Sequence, residues 1–220
     1  KERTMNGQAK WIWINELDEP DNYGDFVRDF ELGETGGVTL NIAADTEYAA
    51  YINGKLAAFG QYADYPQKRI FDTADISEFC VKGKNRLAVQ VFYSGDGECF
   101  TSYPKFAGVV FDISQNEKLI AVSDEKTLCR QSVDYISGYG VKITPQIGYG
   151  YSCNLNKRDE WMKTTDKISA FHNAVVKNIK TNFGERPIKK LVLKEPIKSR
   201  LTDYGSFKLT DGNTPAEKMM

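Results

Sequence analysis

Apolar and polar residues alternate along the first 135 positions with the two-residue period of half-buried strands, not the 3.6-residue period of helices. Trp11-Ile-Trp-Ile14 predicts a strand with both tryptophans on one face. Phe26–Leu32 predicts another, with Phe26, Arg28 and Phe30 on one side. After a turn over Gly33–Gly37, Val38, Leu40 and Ile42 point one way while Thr39 and Asn41 point the other. Tyr48–Ile52 and Lys55–Phe59 flank Asn53-Gly54, a two-residue hairpin signal because both residues tolerate positive φ. Ile70–Asp72, Arg86–Tyr93, Phe106–Ile113, Leu119–Val122 and Leu128–Val133 continue the series. About eight to ten short strands separated by turn signals predict an all-β fold, a jelly-roll β-sandwich.

Beyond Asp134 the alternation fades. Residues 134–151 are rich in Gly and Tyr and read as a long ordered loop or a pair of ragged strands. Residues 159–174 read as a loop with a short helical turn, and Val175-Val176 begin an extended stretch ending near Lys180. The organisation expected is a β-sandwich over 9–180 with an insertion near 134–151. Residues 181–220 follow as a linker and the start of a further β domain, ending in a polar tail over Thr210–Met220.

Composition narrows the function classes. The chain of 220 residues is long enough to bury a sizeable core, and its net charge of −1 is spread over both signs. A nucleic-acid surface would need a basic stripe, so no nucleic-acid partner is expected. Lys189, Lys190, Lys194 and Lys198 form the one basic cluster, and their spacing among apolar residues reads as a solvated strand or linker face. No apolar run approaches the ~20 residues of a membrane helix, so a soluble chain without a membrane partner is expected. Lys1-Glu-Arg-Thr4 shows no signal-peptide pattern, but a removed leader would leave the same start, which leaves the compartment open. Cys80, Cys99, Cys129 and Cys153 have no C-x-x-C spacing; free, partly buried thiols are expected, with disulfides permitted by the even number.

Few residues carry recognisable chemistry. His172 is the single histidine, no G-x-S-x-G elbow accompanies it, and a surface or structural role is expected. Gly138-Tyr-Gly140 and Gly148-Tyr-Gly150 are not followed by helices, which argues against phosphate cradling. Two carboxylates on opposing loops can hydrolyse a glycoside, yet turn and capping roles explain Asp45, Asp72 and Asp75 more simply. Neither catalysis by this chain nor a cofactor is expected; an oxygen-rich loop can hold Ca²⁺, but no ligand pattern singles one out.

The aromatic loops are the better candidates. Sugars are bound by flat aromatic faces with carboxylates or amides pairing their hydroxyls. Residues 60–68 and 94–103 supply Tyr62, Asp64, Tyr65, Asp96 and Tyr103 as candidate carbohydrate contacts. The competing reading is that these tyrosines pack on the sandwich or on a neighbouring domain.

Several runs then resemble a known family. Ala9–Ile14, Phe26–Phe30, Ala43-Ala-Asp45, Tyr48 with Tyr51-Ile-Asn-Gly54, Phe59-Gly60, Phe71–Ile76 and Gly83–Asn85 with Leu87–Val91 are similar in order and spacing to the amino-terminal region of bacterial α-L-rhamnosidases, glycoside hydrolase family 78. Asp159-Glu-Trp161, Ala174–Val176, Arg186–Leu191 and Gly205–Phe207 extend the likeness. The hairpin motif alone also occurs in many galactose-binding-like jelly rolls. The resemblance implies a non-catalytic galactose-binding-like sandwich serving as an accessory domain. Its partners would be the catalytic and other β domains, and rhamnose-containing saccharides where it holds sugar. Hydrolysis in that family belongs to an (α/α)-barrel further along the chain. Nothing in these residues matches that barrel, so no catalytic residue carries over. Two alternatives stand beside this reading: a structural sandwich without ligand, and a stand-alone carbohydrate-binding module.

Overall fold

A computed structural model describes residues 4–61, 64, 68–95, 106–140, 142–144, 148–190, 192 and 197–205. Ten strands form by residue 131, followed by five short ones. They are β1 (Trp11–Trp13), β2 (Asn22–Leu32), β3 (Val38–Asp45), β4 (Glu47–Ile52), β5 (Lys55–Gly60), β6 (Arg69–Asp75), β7 (Gly83–Tyr93), β8 (Gly108–Gln115), β9 (Lys118–Val122) and β10 (Leu128–Gln131). The five are β11 (Lys142–Thr144), β12 (Gly148–Tyr149), β13 (His172–Asn173), β14 (Val175–Lys177) and β15 (Phe183–Glu185). The fold is an all-β sandwich of two sheets. One sheet runs β14-β1-β8-β3-β6-β15 with β9 paired to β8; the other runs β13-β10-β2-β7-β4-β5. Among the described residues no helix is long and apolar enough to cross a membrane.

The predicted alternation sets the core. Leu40 and Ile42 of β3 and Val109, Phe111 and Ile113 of β8 meet Phe26 of β2, Ala50 and Ile52 of β4, and Leu87, Val89 and Val91 of β7 between the two sheets. Asn53 and Gly54 adopt positive φ of 52° and 82°, and Ile52 pairs with Lys55 across the hairpin. Runs such as Val109–Phe111 are apolar on both faces because outer clusters cover the sheets as well. Trp11, Ala43, Phe71 and Val110 form one outer cluster. Val27, Ala88 and Trp161 form another on the opposite sheet.

The two tryptophans of β1 do not share an environment. Ile12 pairs with Val109, and Trp11 stacks in the outer cluster against Phe106 and Phe183. The strand ends at Trp13, which turns into the main core against Phe26 and Tyr93. Its indole nitrogen is buried without a hydrogen-bond partner among the described residues.

The Gly/Tyr-rich segment after Asp134 is ordered where it is described. β11 pairs with β12, and Tyr135 bridges to Cys153. Asp21 accepts from the Gly138 and Gly140 amides, and a Cβ on Gly140 would lie 2.6 Å from the Gly150 carbonyl oxygen. Gly140 is thus explained by its close approach to Gly150, and Gly138 by its positive φ of 69°. β15 then adds to the edge of β6 in parallel register.

The chain divides into two compact units, Lys1–Ile188 and Lys189–Met220. In the second, the described residues form neither strand nor helix, and Lys189, Val192 and Lys198 are exposed. Lys194, Leu191 and the tail beyond Gly205 lie outside the described residues.

Candidate functional site

The loop-bearing end of the sandwich holds a buried ionic network. Arg69 donates to Asp45 at 2.8 Å and to Asp64 at 3.0 Å. Asp64 also accepts from the Ile70 amide at 2.7 Å, and burial raises its pKa against these bonds. Next to it, Asp72 accepts from the Tyr48 hydroxyl and from Arg186 Nε, each at 2.5 Å. Asp45 and Asp72 are therefore members of long-range ion pairs rather than turn or capping residues. Asp75 does cap its turn, accepting from the Ser77 amide. Of the five candidate sugar contacts, Asp64 lies in this network. Tyr62, Tyr65, Asp96 and Tyr103 lie outside the described residues.

His172 sits in β13, where its Nε2 lies 3.0 Å from the Ile14 carbonyl oxygen and 3.6 Å from Cys129 Sγ. Burial pushes the Cys129 thiol up to about 12, so the pair does not generate a thiolate nucleophile at neutral pH. Cys80, Cys129 and Cys153 are free thiols, and Cys99 lies outside the described residues.

A second site forms where sequence alone pointed to nothing. The outer face of β2 and β7 presents paired rows: Tyr23 with Phe92, Asp25 with Gln90, Val27 with Ala88, and Asp29 with Arg86. The segment 158–171 lies over this face. Arg86 grips Asp29 through Nε and Nη2, and its Nη1 donates to the carbonyls of Trp161, Lys163 and Asp166. Arg130 of β10 joins Asp25 to Asp159, with two bonds to Asp159 of 2.6 and 2.7 Å. Trp161 is buried against Val27 and Ala88. Tyr135 stacks on Tyr23 with ring centroids 5.0 Å apart.

Between floor and cover lies an open cleft of about 280 Å³ lined by Tyr51, Gln90, Asp134, Tyr135, Arg158 and Met162, among others. Asp134 is buried and accepts from Arg158 Nε at 2.9 Å. The Arg130 hydrogen bond holds Asp159 below the usual carboxylate range. Asp25 is the carboxyl pushed upward, to about 6, by burial. That value would suit a general acid. Asp25 has no exposed surface and lies under Gln90 and Arg130, so it has no access to a bound substrate. Asp25 is therefore not placed to act as the acid of a glycoside hydrolysis in this cleft.

The polar members of the floor do leave a trace in the sequence. Arg86 and Gln90 interrupt an apolar strand four residues apart, as Asp25 and Asp29 do in β2. Two such pairs mark an outer face that something polar must cover. Arg158 leaves no comparable signal.

Neither protein-family models nor curated proteins give a match to the chain. Solved structures do. The chain is similar in fold to part of the α-L-rhamnosidases. The GH78 family rhamnosidase of Bacillus sp. GL1 aligns with a TM-score of 0.75 at 20% identity, over 84% of this chain and 20% of that one. The native α-L-rhamnosidase of Aspergillus terreus aligns at 0.64 and 15% identity, over 81% of this chain and 22% of its own. The Streptomyces avermitilis α-L-rhamnosidase complexed with L-rhamnose aligns at 0.56 and 20% identity, over 80% and 15%. The chain thus spans about a fifth of the length of these enzymes, and at these identities the likeness is one of fold. A fungal enzyme among them means that the fold is not confined to bacterial rhamnosidases.

Proposed function

We propose that this chain is a non-catalytic accessory β-sandwich of an α-L-rhamnosidase-like glycoside hydrolase, packing on the catalytic and other β domains of that enzyme. The observation that carries the reading is the fold match over 84% of this chain to 20% of a GH78 rhamnosidase. Residues that suggested the family from sequence also cluster as scaffold. Tyr48, Asp72 and Arg186 share one hydrogen-bonded network, and Asn53 and Asn85 share another. Such residues hold a sandwich together; they are not arranged around a substrate. The test is the gene beyond the Met220 codon and the activity of its product. The longer gene should encode a helical barrel, and its product should release p-nitrophenol from an aryl α-L-rhamnoside, while this chain alone releases none. Release by the 220 residues alone would overturn the reading.

A second role, carbohydrate binding, is favoured by the cleft over β4 and β7, whose lining combines tyrosines, an arginine and an amide. Tyr62, Asp64, Tyr65, Asp96 and Tyr103 remain proposed contacts on the loop-bearing end. For Asp64 such a contact has to coexist with its bonds to Arg69 and Ile70. Titration with L-rhamnose, followed by tryptophan fluorescence or melting temperature, tests this role. A shift abolished by Tyr62→Ala or Tyr65→Ala would place the sugar on the loops.

A further inference from the structure

We propose that the cleft between the outer face of β7 and the segment 158–163 is a binding site for one neutral saccharide ring, held by Tyr51, Gln90 and Arg158. The inference rests on the carbohydrate-binding reading and assigns it a place and a ligand class.

Size comes first. A cleft of about 280 Å³ is at the small end of ligand sites and suits one ring rather than an extended chain.

Hydrogen-bonding capacity comes second. Arg158 reaches Asp134 through Nε alone. Its two terminal nitrogens make no hydrogen bond among the described residues, and 55% of its side chain is exposed. Gln90 directs its amide nitrogen to Asp25 at 3.2 Å and to Ser132 at 3.4 Å, and its oxygen makes no hydrogen bond among the described residues. The Tyr51 hydroxyl likewise has no partner among the described residues, although Arg158 is close enough to act on its ionisation. A two-nitrogen donor fork, an amide acceptor and a hydroxyl that both donates and accepts are the set that adjacent sugar hydroxyls need. Tyr51, Tyr135 and Met162 add apolar lining for the C–H faces of a ring.

Charge decides the class. Asp134, Asp159, Glu160 and Asp166 line the cleft against Arg158 and Lys163. Asp134 is already bonded to the one arginine that faces the opening. The excess of carboxylates repels a uronate, so the ring is uncharged.

The test is amide chemical-shift mapping of the full chain with L-rhamnose, D-galactose and D-galacturonate into the tens of millimolar. L-rhamnose or D-galactose should shift Tyr51, Gly54, Gln90 and Arg158 saturably, and D-galacturonate should bind more weakly. Tyr51→Phe and Arg158→Gln keep the packing and should each raise Kd at least about tenfold, the loss of one good hydrogen bond. Shifts confined to residues 60–68 and 94–103 would overturn the cleft site while leaving carbohydrate binding intact. Tighter binding of galacturonate, or affinity unchanged in both variants, would overturn it too. No shift with any of the three sugars would remove both the site and the carbohydrate-binding reading.

Discussion

Asn53 Nδ2 donates to Asn85 Oδ1 at 2.9 Å, tying the β4–β5 hairpin to the turn that enters β7. Asn85 is fully buried; it also accepts from the Val81 amide and donates to the Val81 and Gly83 carbonyls. Asn53 in turn accepts from the Arg86 amide. The hairpin asparagine thus has two tasks. It tolerates positive φ, and it stitches two turns that are distant in sequence.

Asn85→Ala removes the side-chain partner of the Val81 amide and of the Val81 and Gly83 carbonyls and should cost about 2–3 kcal/mol. Asn53→Gly keeps the turn geometry and should cost less. Urea midpoints at constant m-value measure both. A near-neutral Asn85→Ala would mean that water replaces the side chain, contrary to its burial.

Arg186→Ala takes a bonded cation from Asp72, which is 3% exposed. Removing one partner of a buried pair costs roughly 3–5 kcal/mol. Tyr48→Phe removes one hydrogen bond to the same carboxylate and should cost roughly 1.5–3 kcal/mol. Combining Arg186→Ala with Asp72→Asn should recover part of the loss, because the carboxylate that lost the arginine is then neutral. Thermal denaturation of the three variants gives the order. A double variant less stable than Arg186→Ala alone would contradict the ionic explanation.

The strand period made the sandwich legible, because each core strand turns alternate residues into the space between the sheets. What could not be read were relations set by tertiary register. Trp11 and Trp13 share a face in an ideal strand, but β1 ends at Trp13 and the chain carries that ring into the core. Asp45 and Asp72 looked like local turn residues, yet Arg69 and Arg186 reach them across the fold. The cleft was hidden for the same reason. Its floor lies on β4 and β7, and its wall is supplied by residues 158–163, far along the chain. Only the outward polar pairs Arg86/Gln90 and Asp25/Asp29 hinted at a covered face.

Two neighbouring glycines should respond differently to substitution. Gly138 has φ of 69° and open space where a Cβ would sit, so Gly138→Ala should cost about 1 kcal/mol from backbone strain alone. Gly140 faces the Gly150 carbonyl oxygen at 2.6 Å and both Asp21 oxygens at 3.0 Å. Alanine there forces backbone apart and should cost more, with faster proteolysis within 134–151. Equal stability of the two variants would show that the Gly-Tyr-Gly contact is dispensable.

Asp25 should make stability fall as pH rises through weak acid. Its carboxyl titrates near 6 in the folded chain against 3.8 for an ordinary aspartate, with burial outweighing the help of Gln90 and Arg130. Between those two pH values the folded state holds more protons than the unfolded state, so unfolding free energy decreases with rising pH. The penalty is absent below pH 3.8, grows through the interval and is complete above pH 6, reaching about 3 kcal/mol for a shift of about two pH units. Asp134 lies nearby and adds to the upward push, while Arg130 opposes it. Asp25→Asn keeps the shape and removes the titration. The stability of the wild type relative to Asp25→Asn should therefore decline between pH 4 and pH 7, as read from urea midpoints at each pH. A difference that stays flat over that range would mean that Asp25 is ionised as readily when folded as when unfolded, and that Arg130 fully compensates its burial.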